Sequence, residues 1–212
     1  MHRALHFVTA IILASLALGF VTSDDAIRFD LTYTIEPQSN LYLKGTTNIN
    51  SFECVALDAF PVQDISGTLY PSAGKASLKG AEIALTVKKL DCDNSKINRD
   101  LCDALNEEEY PVIGIRFHGA RLKSFDLHKD WVDIEADATL TISGVAKRVT
   151  LHAKGKELSK GAYQFIGSKE IKMSDFGVDP PTALFGLIQV DDEVSIHLDV
   201  VTRTVVKSRS GQ

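Results

Sequence analysis

Cysteine, tryptophan, methionine and proline are sparse in this chain of 212 residues, at three, one, two and six copies. The three cysteines, with no CxxC and no histidine cluster beside them, exclude a zinc-finger or zinc-ribbon site. His118, His128, His152 and His197 lie far apart, and His2 and His6 fall near the start. Positive charge is also short: 23 basic residues against 28 acidic ones give a net charge of −5, and no basic run stands out. That argues against a nucleic-acid partner, which selects a basic face to neutralise phosphates. The chain has no G-x-S-x-G elbow, no HExxH, no P-loop and no GxGxxG opening a helix. At 44% hydrophobic and 24% charged residues it is neither collagen-like nor disordered. No linker, long repeat or low-complexity stretch divides it, so a single domain is expected.

Long apolar runs are missing as well, with one exception at the start. After Arg3, Ala4 to Val21 is broken only by His6, Thr9 and Ser15, and Val21-Thr22-Ser23 sets small or β-branched residues ahead of Asp24. Ala17-Leu18-Gly19 offers a second cut. This is the layout of a secretory signal peptide over residues 1–23. An uncleaved anchor helix competes, because the run is near the lower limit for spanning a bilayer. The reading is export, to a periplasm or outside the cell. In an oxidising compartment two of Cys54, Cys92 and Cys102 are expected to be bridged. Their spacing does not choose the pair.

Apolar residues alternate nearly throughout the rest: Phe29 to Ile35, Ile83 to Val87, Ile113 to Gly119, Val132 to Ile142, Val149 to Ala153, Tyr163 to Gly167 and Val194 to Val200. Period-2 patterning across so many segments means half-buried antiparallel strands. Turn residues separate them, at Pro37-Gln38-Ser39-Asn40, Ser72-Ala73-Gly74, Ser143-Gly144, Lys160-Gly161 and Asp191-Asp192. One stretch differs. Ile97, Leu101, Ala104 and Leu105 recur at helical spacing between capping residues Asp93-Asn94-Ser95 and the stop Tyr110-Pro111. The fold class is all-β, with about eight strands and one short helix. A sandwich and a barrel both fit, and the strand count favours an antiparallel barrel, which removes exposed edges.

The titratable residues suggest no chemistry by spacing alone. Arg99-Asp100 and Ser174-Asp175 read as surface or loop pairs, and Glu107-Glu108-Glu109 as a solvated helix end rather than a calcium site. His118 and His197 fall on strands, and Trp131 reads as core or rim packing.

Five stretches, taken in order, resemble the YceI-like family: Gly45 to Phe52; Ile97-Asn98-Arg99-Asp100-Leu101; Tyr110-Pro111-Val112-Ile113 with Phe117; Ala138 to Val145 with Val149; and Met173 to Val178 followed by Pro180-Pro181. The resemblance runs from about Phe29 to Val201, so the YceI-like domain is assigned to residues 24–206, with a polar tail at 207–212. It implies a single lipocalin-like antiparallel β-barrel whose apolar interior holds a polyisoprenoid or similar long-chain lipid, for carriage or storage. It implies no catalysis and no cofactor. Cysteines just after the Phe52 stretch and just before the helix resemble one branch of the family, which implies a Cys54–Cys92 disulfide and a free, half-buried Cys102.

On that reading the inward aliphatic and aromatic set lines the cavity, with Phe117, Leu140, Ile142, Phe165, Phe185 and Leu187 as the candidates. Phe176-Gly177 and Pro180-Pro181 form a loop that is either a portal or a connection. The implied partners are a long-chain isoprenoid lipid and, transiently, a membrane; a homodimer is compatible, and nucleic acid is not expected. The alternative is an exported interaction or stress-protection protein with a solid barrel, working through Glu107 to Glu109 and the basic tail Lys207-Ser208-Arg209.

Overall fold

A computed structural model describes residues 26–58, 60, 62–70, 73–123, 131–183 and 187–206. The segment read as a signal peptide, the tail at 207–212 and Phe185 lie outside the described residues. Six strands come first: β1 (Ile27–Ile35), β2 (Asn40–Thr47), β3 (Ser51–Ala56), β4 (Gln63–Tyr70), β5 (Lys75–Lys79) and β6 (Glu82–Thr86). A 3-10 turn (Val87–Lys89) and the short β7 (Leu90–Asp91) lead into α1 (Ser95–Ala104). Four long strands follow: β8 (Val112–Leu122), β9 (Val132–Ile142), β10 (Val145–Ser159) and β11 (Ala162–Lys172). A second 3-10 turn (Ser174–Phe176), β12 (Thr182–Ala183) and β13 (Ile188–Val206) complete the order.

Eight of these strands close a ring in the order β1-β4-β5-β8-β9-β10-β11-β13, and β13 pairs back onto β1. All pairings are antiparallel, as the alternation predicts. The length of β13 lets one strand serve two neighbours on the same side. Val194 to Asp199 pair with β2, and Thr202 to Val206 pair with β1. So β2, β3 and β7 branch from β13, while β6 joins the first half of β8. The branch thickens one end of the barrel, and α1 packs there.

Inward parity is set on each strand by the apolar alternation. On β8 it changes partway, because a register shift between Phe117 and Gly119 inserts an extra residue. Ala120 and Leu122 therefore face inward after Phe117, and the expected continuation through Gly119 does not hold. At Gly67 the ring of Phe29 lies across the strand: an added Cβ would sit 2.7 Å from Phe29 Cζ and 2.0 Å from the Ser77 carbonyl. The β9–β10 hairpin turns through Ser143 (φ 47°) and Gly144 (φ 76°), the left-handed pair that a tight two-residue hairpin needs.

Helix α1 starts where its cap was predicted. The Asn94 side chain accepts from the backbone N–H of Lys96 (2.9 Å) and Ile97 (3.2 Å). Asn98 fastens the approach by accepting from Cys92 N (2.8 Å) and donating to Asp91 (3.1 Å). The helix ends at Ala104, ahead of Tyr110-Pro111, because the chain turns through Asn106 at φ 50°. Ile97, Leu101 and Leu105 face the core. Cys54 and Cys92 are disulfide-bonded, tying β3 to the lead-in of α1, and Cys102 is a free, half-buried thiol. Burial raises its pKa, helped by the nearby Glu107 carboxylate.

Candidate ligand cavity

The barrel encloses a large cavity toward one end and a smaller chamber toward the other. A cavity of about 1390 Å³ runs inside the ring, from Ile115 and Leu140 near the middle to Ile27, Leu69 and Leu122 where β1 begins. Its walls are the alternating inward set: Phe29, Leu31 and Tyr33 of β1, Ile65 of β4, Ala136 of β9, Leu151 of β10, Phe165 of β11, and Leu198 and Val200 of β13. A smaller chamber of about 430 Å³ adjoins it, with Ile115 and Ile196 bordering both. Ile97, Leu101 and Leu105 of the helix region close that chamber, together with Ile142, Pro181 and Ile188.

The interior holds little charge. Arg28 and Asp30 touch the cavity's border from exposed positions, whereas Lys169 is half-buried, on the same parity of β11 as Phe165 and opposite Ile196. The Tyr33 hydroxyl donates to Gln63 Oε1 (2.6 Å), stands 2.9 Å from the Glu82 carbonyl and accepts from Glu82 N–H (3.3 Å). Burial raises its pKa, as it does for Tyr163, so both phenols stay neutral through the physiological range. The walls of the cavity are thus mainly aliphatic and aromatic, with Lys169 the one half-buried charge among its described lining residues.

Of the six predicted lining residues, Phe117, Leu140 and Phe165 border the large cavity, and Ile142 borders the smaller chamber. Phe185 lies outside the described residues. Leu187 is a correction: it is 73% exposed in the turn before β13, where its carbonyl accepts from Asn48 Nδ2 (2.9 Å). Even-numbered residues face inward along β13, so Ile188 and Val190 take the lining role. Extending the parity of Ile196 and Leu198 backwards reveals this from the sequence. Ile65 and Leu69 were missed because Gly67 interrupts the alternation on β4, and Ala76 because the five-residue β5 alternates too briefly to stand out.

Other expectations also change. Glu107 is not solvated: it is 8% exposed and paired with Lys88 at 2.8 Å, while Glu108 and Glu109 are exposed. Asp100 pairs with Lys96 (2.7 Å) one helical turn away rather than with Arg99. Phe176 is no portal, being 2% exposed in the core. Asp175 pairs with Lys147, whereas Ser174 donates to Asp192 through its N–H (2.8 Å) and its Oγ (2.6 Å). His118 bonds Thr139 (2.8 Å), and His197 bonds Ser195 (2.9 Å) while stacking on Tyr42 across the β2–β13 pairing. Among the described residues no group of three or more His, Cys, Asp or Glu side chains is placed to hold a metal.

The Ser174 hydrogen bonds hold the Asp192 carboxyl below the ordinary carboxylate range. A depressed acid stabilises the fold above its unfolded pKa, and that contribution is lost as pH falls through the folded value. The Ser174 amide resonance is therefore expected to titrate with a midpoint below about 3.9 and to lose that titration in Asp192→Asn. A midpoint at or above the free-aspartate value would contradict the contact.

The profile of the YceI-like domain family matches residues 33–202. The chain belongs to the YceI-like family. Among solved structures, this YceI-like chain is similar to BcnA of Burkholderia cenocepacia, at 18% identity and a TM-score of 0.56, covering 77% of this chain and 96% of that one. It is also similar to a polyisoprenoid-binding domain from Saccharophagus degradans implicated in plant cell wall breakdown, at 15% identity and a TM-score of 0.56, covering 82% and 98%. At such identities the likeness is one of fold, and it agrees with the all-β barrel carrying one short helix. Among curated proteins none matches the sequence.

Proposed function

We propose that this YceI-like protein is exported and holds one polyisoprenoid or similarly long apolar lipid inside its barrel, for carriage or storage and without chemical turnover. The cavity carries this reading. At about 1390 Å³ it exceeds the roughly 300–1,000 Å³ of an ordinary small-molecule site, and its walls are aliphatic and aromatic. Burying hydrocarbon there gains about 25 cal/mol per Å² before ordering costs. Such binding needs no cofactor. A solid barrel working through its surface does not account for so large an apolar void, since protein interiors pack to the density of organic crystals.

The relative from Saccharophagus degradans, a polyisoprenoid-binding domain, supports the choice of lipid. Export rests on the apolar start with its small-residue cut site, and the Cys54–Cys92 disulfide suits an oxidising compartment. A ligand this insoluble enters and leaves through transient contact with a membrane.

The test is mass spectrometry of an organic extract from the natively folded, exported protein. One long-chain isoprenoid or comparable lipid per chain is expected. An extract that stays empty after incubation with membranes and with prenyl lipids would sink the reading.

A further inference from the structure

The acids outnumber the bases overall, yet the two ends of the barrel differ in charge. At the end where β1 begins, Arg28, Lys75, Arg121, Lys154 and Lys160 are all exposed, and none makes an ion pair among the described residues. They come from separate strands and one hairpin turn, and register brings them together: Lys75 faces Arg121 across β5–β8, for example. Glu135 takes Lys123 at 2.7 Å and stands opposite Arg121, and Asp133 stands opposite Lys154. Asp30 and Glu157 lie on the same strand ends, and among the described residues the five cations and Lys123 outnumber these four acids. Between them stand exposed apolar side chains, Tyr70 (44%), Leu158 (48%) and Val205 (64%). This rim surrounds the half-buried Ile27, Leu69 and Leu122 that line the outer end of the large cavity.

The opposite end also exposes apolar residues, Ile49 and Leu187, but among the described residues its acids outnumber its cations. Lys44 pairs with Glu53 (3.1 Å), Lys96 with Asp100 (2.7 Å) and Lys172 with Glu193 (4.0 Å), while Asp191 and Asp192 add acid.

We propose that the cationic end docks on the surface of an anionic bilayer, setting the mouth of the large cavity against lipid. This rests on the lipid-holding function for its purpose, but the docking itself does not require the cavity to be filled. Unpaired cations are drawn to anionic headgroups. The exposed Tyr70, an apolar ring with a polar tip, suits the interface between headgroup and acyl chain. An apolar ligand then passes between bilayer and barrel without crossing water.

The test is co-flotation of the full exported chain with phosphatidylcholine vesicles, with and without phosphatidylglycerol, at low and high salt. Binding is expected to need phosphatidylglycerol and to fade with salt. Removing one cation is expected to weaken apparent affinity about fivefold, and Lys75→Gln with Arg121→Gln together about 25-fold. Lys172→Gln at the other end is expected to change it less than about twofold. All three positions are exposed, and circular dichroism checks that the variants fold.

Equal binding to both vesicle types, or none to either, overturns the proposal. So does a double variant that binds like the parent, or a Lys172 variant that weakens as much. Lipid extracted from the same preparations separates the two readings. An empty extract with anionic binding intact ends the lipid-holding function and leaves docking standing. A loaded extract without anionic preference ends docking alone.

Discussion

Leu140→Asp is expected to leave the chain unfolded, whereas Phe117→Asp folds and loses its ligand. Leu140 sits on β9 opposite Ile115 of β8 and is 2% exposed even though it borders the cavity, so its side chain is held almost wholly by its neighbours. Truncating such a leucine costs about 2–5 kcal/mol. Burying a carboxylate there without a partner adds several more. The total consumes most or all of the 5–15 kcal/mol that holds a typical domain together. Phe117, two residues further along β8 from Ile115, is only half-buried and faces the open part of the cavity. A carboxylate there keeps water while the cavity is empty, but it must be desolvated when hydrocarbon enters. Lipid recovered from Phe117→Asp is expected to fall at least about tenfold, with the native circular dichroism retained. A Leu140→Asp protein that melts like the parent would show the centre of the barrel to be wet. A fully loaded Phe117→Asp protein would show that the ligand never touches that wall.

The second large effect is on stability. Replacing Cys54 and Cys92 together by alanine is expected to cost about 4 kcal/mol, since the bond closes a loop of 38 residues and restricts the unfolded chain accordingly. For a domain of this size that lowers Tm by about 10 °C. Both cysteines are buried, at 0% and 7% exposure, so alanine leaves no polar group stranded. Urea melts of parent and double variant, with and without reductant, read the difference. Reductant is expected to bring the parent down to the variant and to leave the variant unmoved. Equal melts in the absence of reductant would mean that the bridge does not form in solution. The helix lead-in hangs from Cys92 and closes the smaller chamber, so that chamber is expected to loosen first.

Some of the molecule was legible because its causes are local. Alternation over β9, β10, β11 and the middle of β13 named the inward residues correctly, since period 2 is a property of the strand itself. Asn94 was readable as a cap because a cap needs only its own side chain and the next three residues. Phe117, Leu140 and Phe165 followed from parity, and Leu187 failed where parity was not carried through a turn. The bulge after Phe117 was not legible, because an extra residue in one strand is defined only against its partner. Gly67 hid the inward face of β4, because the ring that fills its place comes from Phe29 on another strand.

Charge followed the same division. Read along the chain, Glu107 belongs to an acidic run, and the surroundings that bury it beside Lys88 come from a segment nearly twenty residues earlier. No run of basic residues exists, yet strand register collects five cations at one rim. The sequence by itself determined most of the strands, though not β4 and β5, together with the one helix, its cap and the family, because each rests on neighbours in the chain or on motifs in order. Only the tertiary structure decided that the barrel is hollow, where the large cavity lies in it and how the described charges divide between its two ends. Those are properties of closure: a ring of eight strands creates an inside and two ends, and no single strand carries information about either.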